Sequence, residues 1–454
     1  MVGRMNRLAT EKPVIIIGSL ITVPVVVAIA AGGLIGRLAV VLAVLGLAGV
    51  YVIKKHPHAV AYVFAATLGG APYLHVPATS LPALLALSAG LWLVVLVGRE
   101  FQIRPGGPEF AVLALGLVAL FSLVATGVSG RALIEYTAWG AATSVVVPIR
   151  ALTEDVRARM MRVFVASAVV GTTVAMIVLA GAPRPFLTAL EYFSYDPDAN
   201  VRTVVGKSLT SRLSGTYLEP NVAGLILLVA VLAAVVYLDG RWRLLAAVIV
   251  GAGMMLTLSR AAIGTAAVVG LLVILRSKEH RRSIVGAGIG ACAFVLAVPS
   301  VRSRLLDSFG PNDIGLADRR SSIREFPSLL DGHWTWGLGW ARPEFRNSGM
   351  GQLVNFASNG PLLTIYRGGL ILGVLVVLVG LLLLIRSWVQ AGRSFSAAVL
   401  CAGVMAFLLV AFQLDFPIVN QTPATAIMSL LVALSFAPPP DREPVVKEKA
   451  AANA

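Results

Sequence analysis

Four stretches of this sequence gather residues suited to holding a multiply charged anion. The first is Arg212-Leu-Ser-Gly-Thr-Tyr-Leu-Glu-Pro-Asn221, directly ahead of an apolar run. Gly215 permits a tight turn, and Pro220 with Asn221 suits a helix start. A helix beginning there turns its dipole-positive end and its free N–H groups towards Arg212, a setting that favours an anion. A merely well-capped helix reads the same way. The second stretch, Leu256-Thr-Leu-Ser-Arg-Ala261, puts Arg260 at the start of another apolar helix. An ionisable residue at membrane depth is a functional candidate, with snorkelling to headgroups as the bland alternative.

The third stretch runs from Asp318 to Trp340 and carries Arg319, Arg320, Arg324, His333, Trp334, Trp336 and Trp340. Asp318 can cap a short helix, on which Arg319, Ile323, Phe326 and Leu330 share a face, although Pro327 can bend it. Gly337 and Gly339 allow a tight return. The tryptophans could stack on sugar rings or anchor the loop at headgroup level. The fourth stretch, Asn355 to Gly369, contains Ser358 and Asn359 and opens the next apolar run. Arg367 falls about 10 Å into that run, where it lines a cavity or pairs with a carboxylate as a strut.

The elements that must position these residues are membrane helices. Hydrophobic residues make up 57% of the 454 residues and charged residues 13%, against roughly 25% charged in soluble domains. Apolar runs recur along the whole chain, each about long enough to cross a bilayer. Spans are expected near 14–31, 38–53, 59–76, 80–98, 109–128, 132–149, 161–181, 221–238, 244–259, 260–275, 283–300, 360–385, 396–413 and 420–436. The first could pass for a signal peptide. It lacks a convincing small-residue cleavage site and is read as the first span. The pair 244–259 and 260–275 could instead be one long tilted helix. Basic residues on both flanks, Arg241 and Arg243 before and Arg276 to Arg282 after, favour two short helices meeting near Arg260.

With the N-terminus inside, every inner connection holds at least two Lys or Arg and each short outer connection at most one, as positive-inside placement requires. That placement accounts for the formal charge of +15 without nucleic acid. Both termini are expected in the cytoplasm. Cys292 and Cys401 fall inside expected spans, where packing rather than a disulfide is their role. The expected fold is all-α and polytopic, with about fourteen spans and two long outer loops containing short helices. It divides into N-terminal helices (1–181), a first outer loop (182–220), central helices (221–300), a large outer loop (301–358), C-terminal helices (359–436) and a disordered cytoplasmic tail (437–454). The large loop has seven Arg and no Lys among its basic residues. The guanidinium fork suits phosphate and carboxylate oxygens, and solvated ion pairs are the alternative.

Three of these motifs resemble those of the O-antigen ligase and polymerase superfamily of membrane glycosyltransferases. The matching segments are Arg212 to Asn221, Ser259-Arg260-Ala261, and Arg319 eighteen residues ahead of Gly337-Leu-Gly339. The resemblance covers roughly 205–375. It implies an inverting, metal-independent transferase on the outer face of the cytoplasmic membrane, without a cofactor. The donor would be a polyprenyl-diphosphate-linked glycan and the acceptor a hydroxyl on a glycan or glycolipid, with arginines holding the diphosphate. Arg212, Arg260 and Arg319 are then the expected catalytic residues. Arg320, Arg324, Asn221, Ser358, Asn359, Arg367, Trp336 and Trp340 are expected to bind substrate.

The family's His-Asn pair is Ser358-Asn359 here, which leaves the general base open among His75, His333, Glu219 and Asp331. His333 and Glu219 are carried as the catalytic candidates. Ligase and polymerase are not separated by these motifs, and a peptidoglycan polymerase is a related reading whose loop aspartate has no assignable counterpart. A lipid-linked glycan flippase or transporter is the alternative from another class, although no internal repeat supports it. A non-enzymatic scaffold leaves Arg212, Arg260 and Arg319 unexplained.

Overall fold

The computed structural model describes residues 55–56, 58–76, 81–97, 106–191, 202–205, 208–277, 281–307, 323–340, 359–411 and 422–437. The expected spans at 14–31 and 38–53, the tail, Arg319, Arg320 and Ser358 lie outside the described residues.

The described chain is overwhelmingly helical. The helices are α1 (Ala59–Gly70), α2 (Ala83–Val97), α3 (Gly107–Thr126), α4 (Gly130–Ser144), α5 (Val146–Ala151), α6 (Glu154–Leu179), α7 (Arg184–Leu190), α8 (Pro220–Tyr237), α9 (Gly240–Leu256), α10 (Arg260–Arg276), α11 (Arg281–Ala297), α12 (Pro299–Asp307), α13 (Gly360–Gln390), α14 (Phe395–Val410) and α15 (Thr422–Ser435). Among the described residues, five helical stretches are long and apolar enough to cross a membrane: α3, α4 running on into α5, α6, α8 and α13. Shorter apolar helices cover α1, α2, α14, α15 and most of α11. With no polar partner in hydrocarbon, such segments satisfy their backbone internally only as helices. The chain therefore has the build of a helical membrane protein.

Burial sorts the spans into layers. In α8 83% of the best apolar window is buried, against 17% in α3 and 22% in α13. Helix α8 is thus the central post, ringed by α1, α6, α9, α10, α14 and α15. The others carry large apolar side chains outward, such as Phe110, Leu117 and Phe121 on α3 and Leu378, Leu382 and Ile385 on α13. Close approach comes from small residues, as expected where lipid is as apolar as the side chains. A Cβ on Gly171 of α6 would fall 2.7 Å from the Gly70 carbonyl of α1.

The break near Arg260 is real. Helices α9 and α10 are separate, joined by Thr257-Leu258-Ser259, and the Ser259 side chain accepts from Ala262 N to cap α10. Leu258 takes φ 51°, which no continuous helix allows. The first long loop holds the short helix α7 but also a two-stranded antiparallel hairpin, β1 (Arg202–Val205) and β2 (Ser208–Ser211), with Arg202 opposite Ser211. Thr203-Val204-Val205 and Leu209-Thr210 favour a strand. Helix α12 of the second loop lies against β1, so the two long loops meet on one face, called the loop face below.

Helix α13 covers the span expected over 360–385, but it is bent. Gly360 N donates to Ala411 O at 2.8 Å, and a Cβ on Gly380 would stand 3.6 Å from Leu408 Cδ2. Positions 408 and 411 are one helical turn apart. Gly360 and Gly380 are therefore within about 20 Å of each other, where a straight helix would part them by about 30 Å. The bend is at Gly369, with φ 71° and ψ −178°, a combination essentially confined to glycine. Arg367 accordingly lies just before a bend, not a third of the way down a straight helix.

Candidate functional site

The first two motifs come together. Leu213 N donates to Leu256 O at 3.1 Å, which stitches the end of the first loop to the α9–α10 turn. Arg212 Nε then donates to Thr257 O at 2.8 Å, and its Nη2 to Asn221 Oδ1 at 2.9 Å. Asn221 Nδ2 donates in turn to Glu219 Oε1 at 2.8 Å, while Glu219 Oε2 accepts Val222 N at 2.7 Å. Glu219 is therefore the cap of α8, with both carboxylate oxygens engaged. Its geometry is that of a structural anion at a helix start more than of a base awaiting a proton. Two of the five guanidinium N–H donors of Arg212 are used in these contacts.

Small residues bring the two helix starts together. A Cβ on Gly224 of α8 would be 2.6 Å from Ala262 Cβ and 3.1 Å from Ser259 Cβ. Arg260, half-buried, opens α10 beside this contact. The 3₁₀ turn Gly215–Tyr217 anchors the loop from beneath. Thr216 Oγ1 donates to Gly70 O at 2.6 Å and the buried Tyr217 hydroxyl to Gly69 O at 2.8 Å. The Thr and Tyr of the first motif are thus framework.

Leu218 (φ 55°) and Leu258 (φ 51°) are the described non-glycine residues with positive φ, and they flank this site from its two sides. Such strain costs on the order of 1–3 kcal/mol per residue and clusters at functional sites. Sequence reasoning missed it, because leucine gives no signal of a left-handed backbone.

The third and fourth motifs build a second cluster around the α13 bend. Leu338 N donates to Tyr366 O at 2.7 Å and Leu370 N to Trp334 O at 2.8 Å. Ser122 Oγ of α3 lies 3.1 Å from Trp336 O and 3.2 Å from Arg367 O. Gly339 packs on Thr126, where a Cβ would come within 2.8 Å of Oγ1. Phe326 and Leu330 are buried against Leu363 and Tyr366, as the helical spacing predicted, while Ile323 is exposed.

Arg367 is 2% exposed, with Nη2 3.9 Å from Glu135 Oε2 on α4. Trp340 is 1% exposed and packs on Tyr136 and Trp139, at ring distances of 5.6 and 5.2 Å. Its faces are taken by protein, so stacking on a sugar is left to the more accessible Trp334 and Trp336. Arg324 and His333 are exposed, with His333 Nδ1 3.0 Å from Asp331 O. His75 lies in an isolated bridge with Pro82.

The start of α13 is not an open anion site. Gly360 N is bonded to Ala411 O, Leu362 N to Asn359 Oδ1 and Leu363 N to Asn359 O, and residue 361 is proline. Its dipole-positive end meets the carbonyl of Ala411 at the C-terminal cap of α14. The expected convergence of three helix starts therefore reduces to two, α8 and α10. Arg319, Arg320 and Ser358 lie outside the described residues. Among the described residues no group of three or more His, Cys, Asp or Glu could hold a metal ion. No family model matches this chain and no curated protein is similar to it.

Proposed function

We propose that this protein is a membrane glycosyltransferase of the O-antigen ligase or polysaccharide polymerase type. It transfers a polyprenyl-diphosphate-linked glycan to an acceptor hydroxyl at the loop face, with inversion and without a metal. In this reading the loop face is the outer face of the cytoplasmic membrane, about fourteen spans cross it, and both termini are cytoplasmic. The observation that carries the reading is Arg212, tied through Thr257 and Asn221 to the abutting starts of α8 and α10, where Arg260 also stands. Two arginines at two helix starts suit the charge that develops on a leaving diphosphate, and donors fixed in advance need no reorganisation as the bond breaks. The strained turns at Leu218 and Leu258 support it. Arg319, Arg320 and Arg324 would complete the grip from the second loop, and a general base is not assigned.

The test is transfer in vitro from a purified undecaprenyl-diphosphate glycan to a glycan acceptor in proteoliposomes. Arg212→Ala, Arg260→Ala and Arg319→Ala should insert and purify normally yet lose transfer by at least about 100-fold, the scale of removing one stabilising donor. Arg212→Lys should recover little, because the fork is lost while the charge stays. Full transfer by these variants would refute the site. Movement of donor across the bilayer without a new glycosidic bond would favour the flippase instead.

A further inference from the structure

We propose that Glu135 is a positioning residue, an electrostatic latch that holds the 334–340 turn of the second long loop on the membrane bundle by way of Arg367. A carboxylate inside an apolar helix is expensive and calls for a role. Glu135 lies on α4 with its side chain 7% exposed, between Ala132 and Trp139, whose side chains join Trp340 and Leu372 in one apolar cluster. Arg131 Nε donates to its Oε1 at 3.2 Å from the loop face, and Arg367 stands 3.9 Å from its Oε2. Two cations from different elements thus share one carboxylate.

What Arg367 carries gives the pair its consequence. Its guanidinium carbon is 5.9 Å from the centre of the Trp340 ring. Its carbonyl shares Ser122 with the carbonyl of Trp336. The residues on either side of it, Tyr366 and the Gly369–Leu370 bend, make the backbone bonds that dock Leu338 and Trp334. Trp340 packs in turn on Tyr136 and Trp139, from the same helix as Glu135. Helix α4 therefore grips both sides of the docked turn, one by charge and the other by aromatic packing. Removing one partner of a buried pair is far more disruptive than replacing both, because the remaining charge stays in a low-dielectric site. The docking claim stands without the proposed chemistry. Only its consequence for transfer rests on that reading, since the arginine-bearing segment from Arg319 to Arg324 leads directly into this turn.

The experiment is hydrogen exchange by mass spectrometry on the full chain in lipid nanodiscs, comparing wild type, Glu135→Gln, Glu135→Asp and the double variant Glu135→Gln/Arg367→Met. In Glu135→Gln, peptides covering 334–340 and 366–371 should exchange at least ten-fold faster, while those covering 213–223 stay as in wild type. Glu135→Asp should lie in between, and the double variant should recover most of the protection. Unchanged exchange at 334–340 in Glu135→Gln would overturn the proposal. So would a double variant as loose as the single one, since packing rather than charge would then hold the turn. If Glu135→Gln does not insert, Glu135→Asp takes its place, and unchanged exchange at 334–340 in that variant overturns the proposal. Where transfer is measurable it should fall in Glu135→Gln. Normal latch behaviour with no transfer by wild type would count against the proposed function alone.

Discussion

Replacing Gly369 by alanine should be among the most damaging single-methyl additions to this protein. The backbone there, φ 71° and ψ −178°, is essentially closed to residues with a Cβ and costs alanine about 1–3 kcal/mol. The added Cβ would also fall 2.0 Å from Thr335 O and 2.5 Å from Trp336 N. Both contacts are backbone, so no side-chain rotation relieves them. The 334–338 turn must lift off, which breaks the Leu370–Trp334 and Leu338–Tyr366 hydrogen bonds at about 1 kcal/mol each, before any charge for amides left unpaired. The sum is about 3–5 kcal/mol. The assay is equilibrium unfolding in mixed micelles with increasing denaturing detergent, followed by tryptophan fluorescence. Gly380→Ala is the control, because its Cβ meets only Leu408 Cδ2 at an ordinary 3.6 Å. It should change stability by less than about 1 kcal/mol. A Gly369→Ala protein within about 1 kcal/mol of wild type would refute the bend and the docking built on it.

Gly224→Val should push α8 away from the start of α10, since even a Cβ meets Ala262 Cβ at 2.6 Å. It should lower stability by about 1–3 kcal/mol in the same titration and reduce transfer with it. Tyr217→Phe removes the donor that satisfies Gly69 O deep under the first loop, at about 1–3 kcal/mol. By contrast Gly264→Ala, where nothing lies within 4 Å of the new Cβ, should be neutral or slightly stabilising. At the opposite face Arg150 and Glu109 form an ion pair with side chains 20% and 11% exposed. Glu109→Gln should destabilise by a few kcal/mol, and raising salt should only weakly mimic the loss, because a partly buried pair is poorly screened.

Helix placement was legible in the sequence because hydrocarbon imposes one rule everywhere: a run of apolar residues must close its own hydrogen bonds. Composition therefore located every described helical span, helix-start chemistry located the start at Pro220, and the flanking basic residues located the break near Arg260. The adjacency of the first two motifs was also foreshadowed, since both precede helices that leave the same face. Sequence could not give the bend at Gly369. A Gly-Gly pair in an apolar helix is common, and what fixes the bend is the docking of the 334–338 backbone onto it. That same contact, together with the abutment of Gly360 on Ala411, removed the α13 start from the expected anion site. Nor did the sequence single out Glu135, because a lone acid in a long apolar stretch gains meaning only from the Arg367 and Trp340 that folding brings beside it. Spacing along the chain sets what each helix can do alone. Which charges meet, and which are sealed away, follows from the packing of helices far apart in sequence.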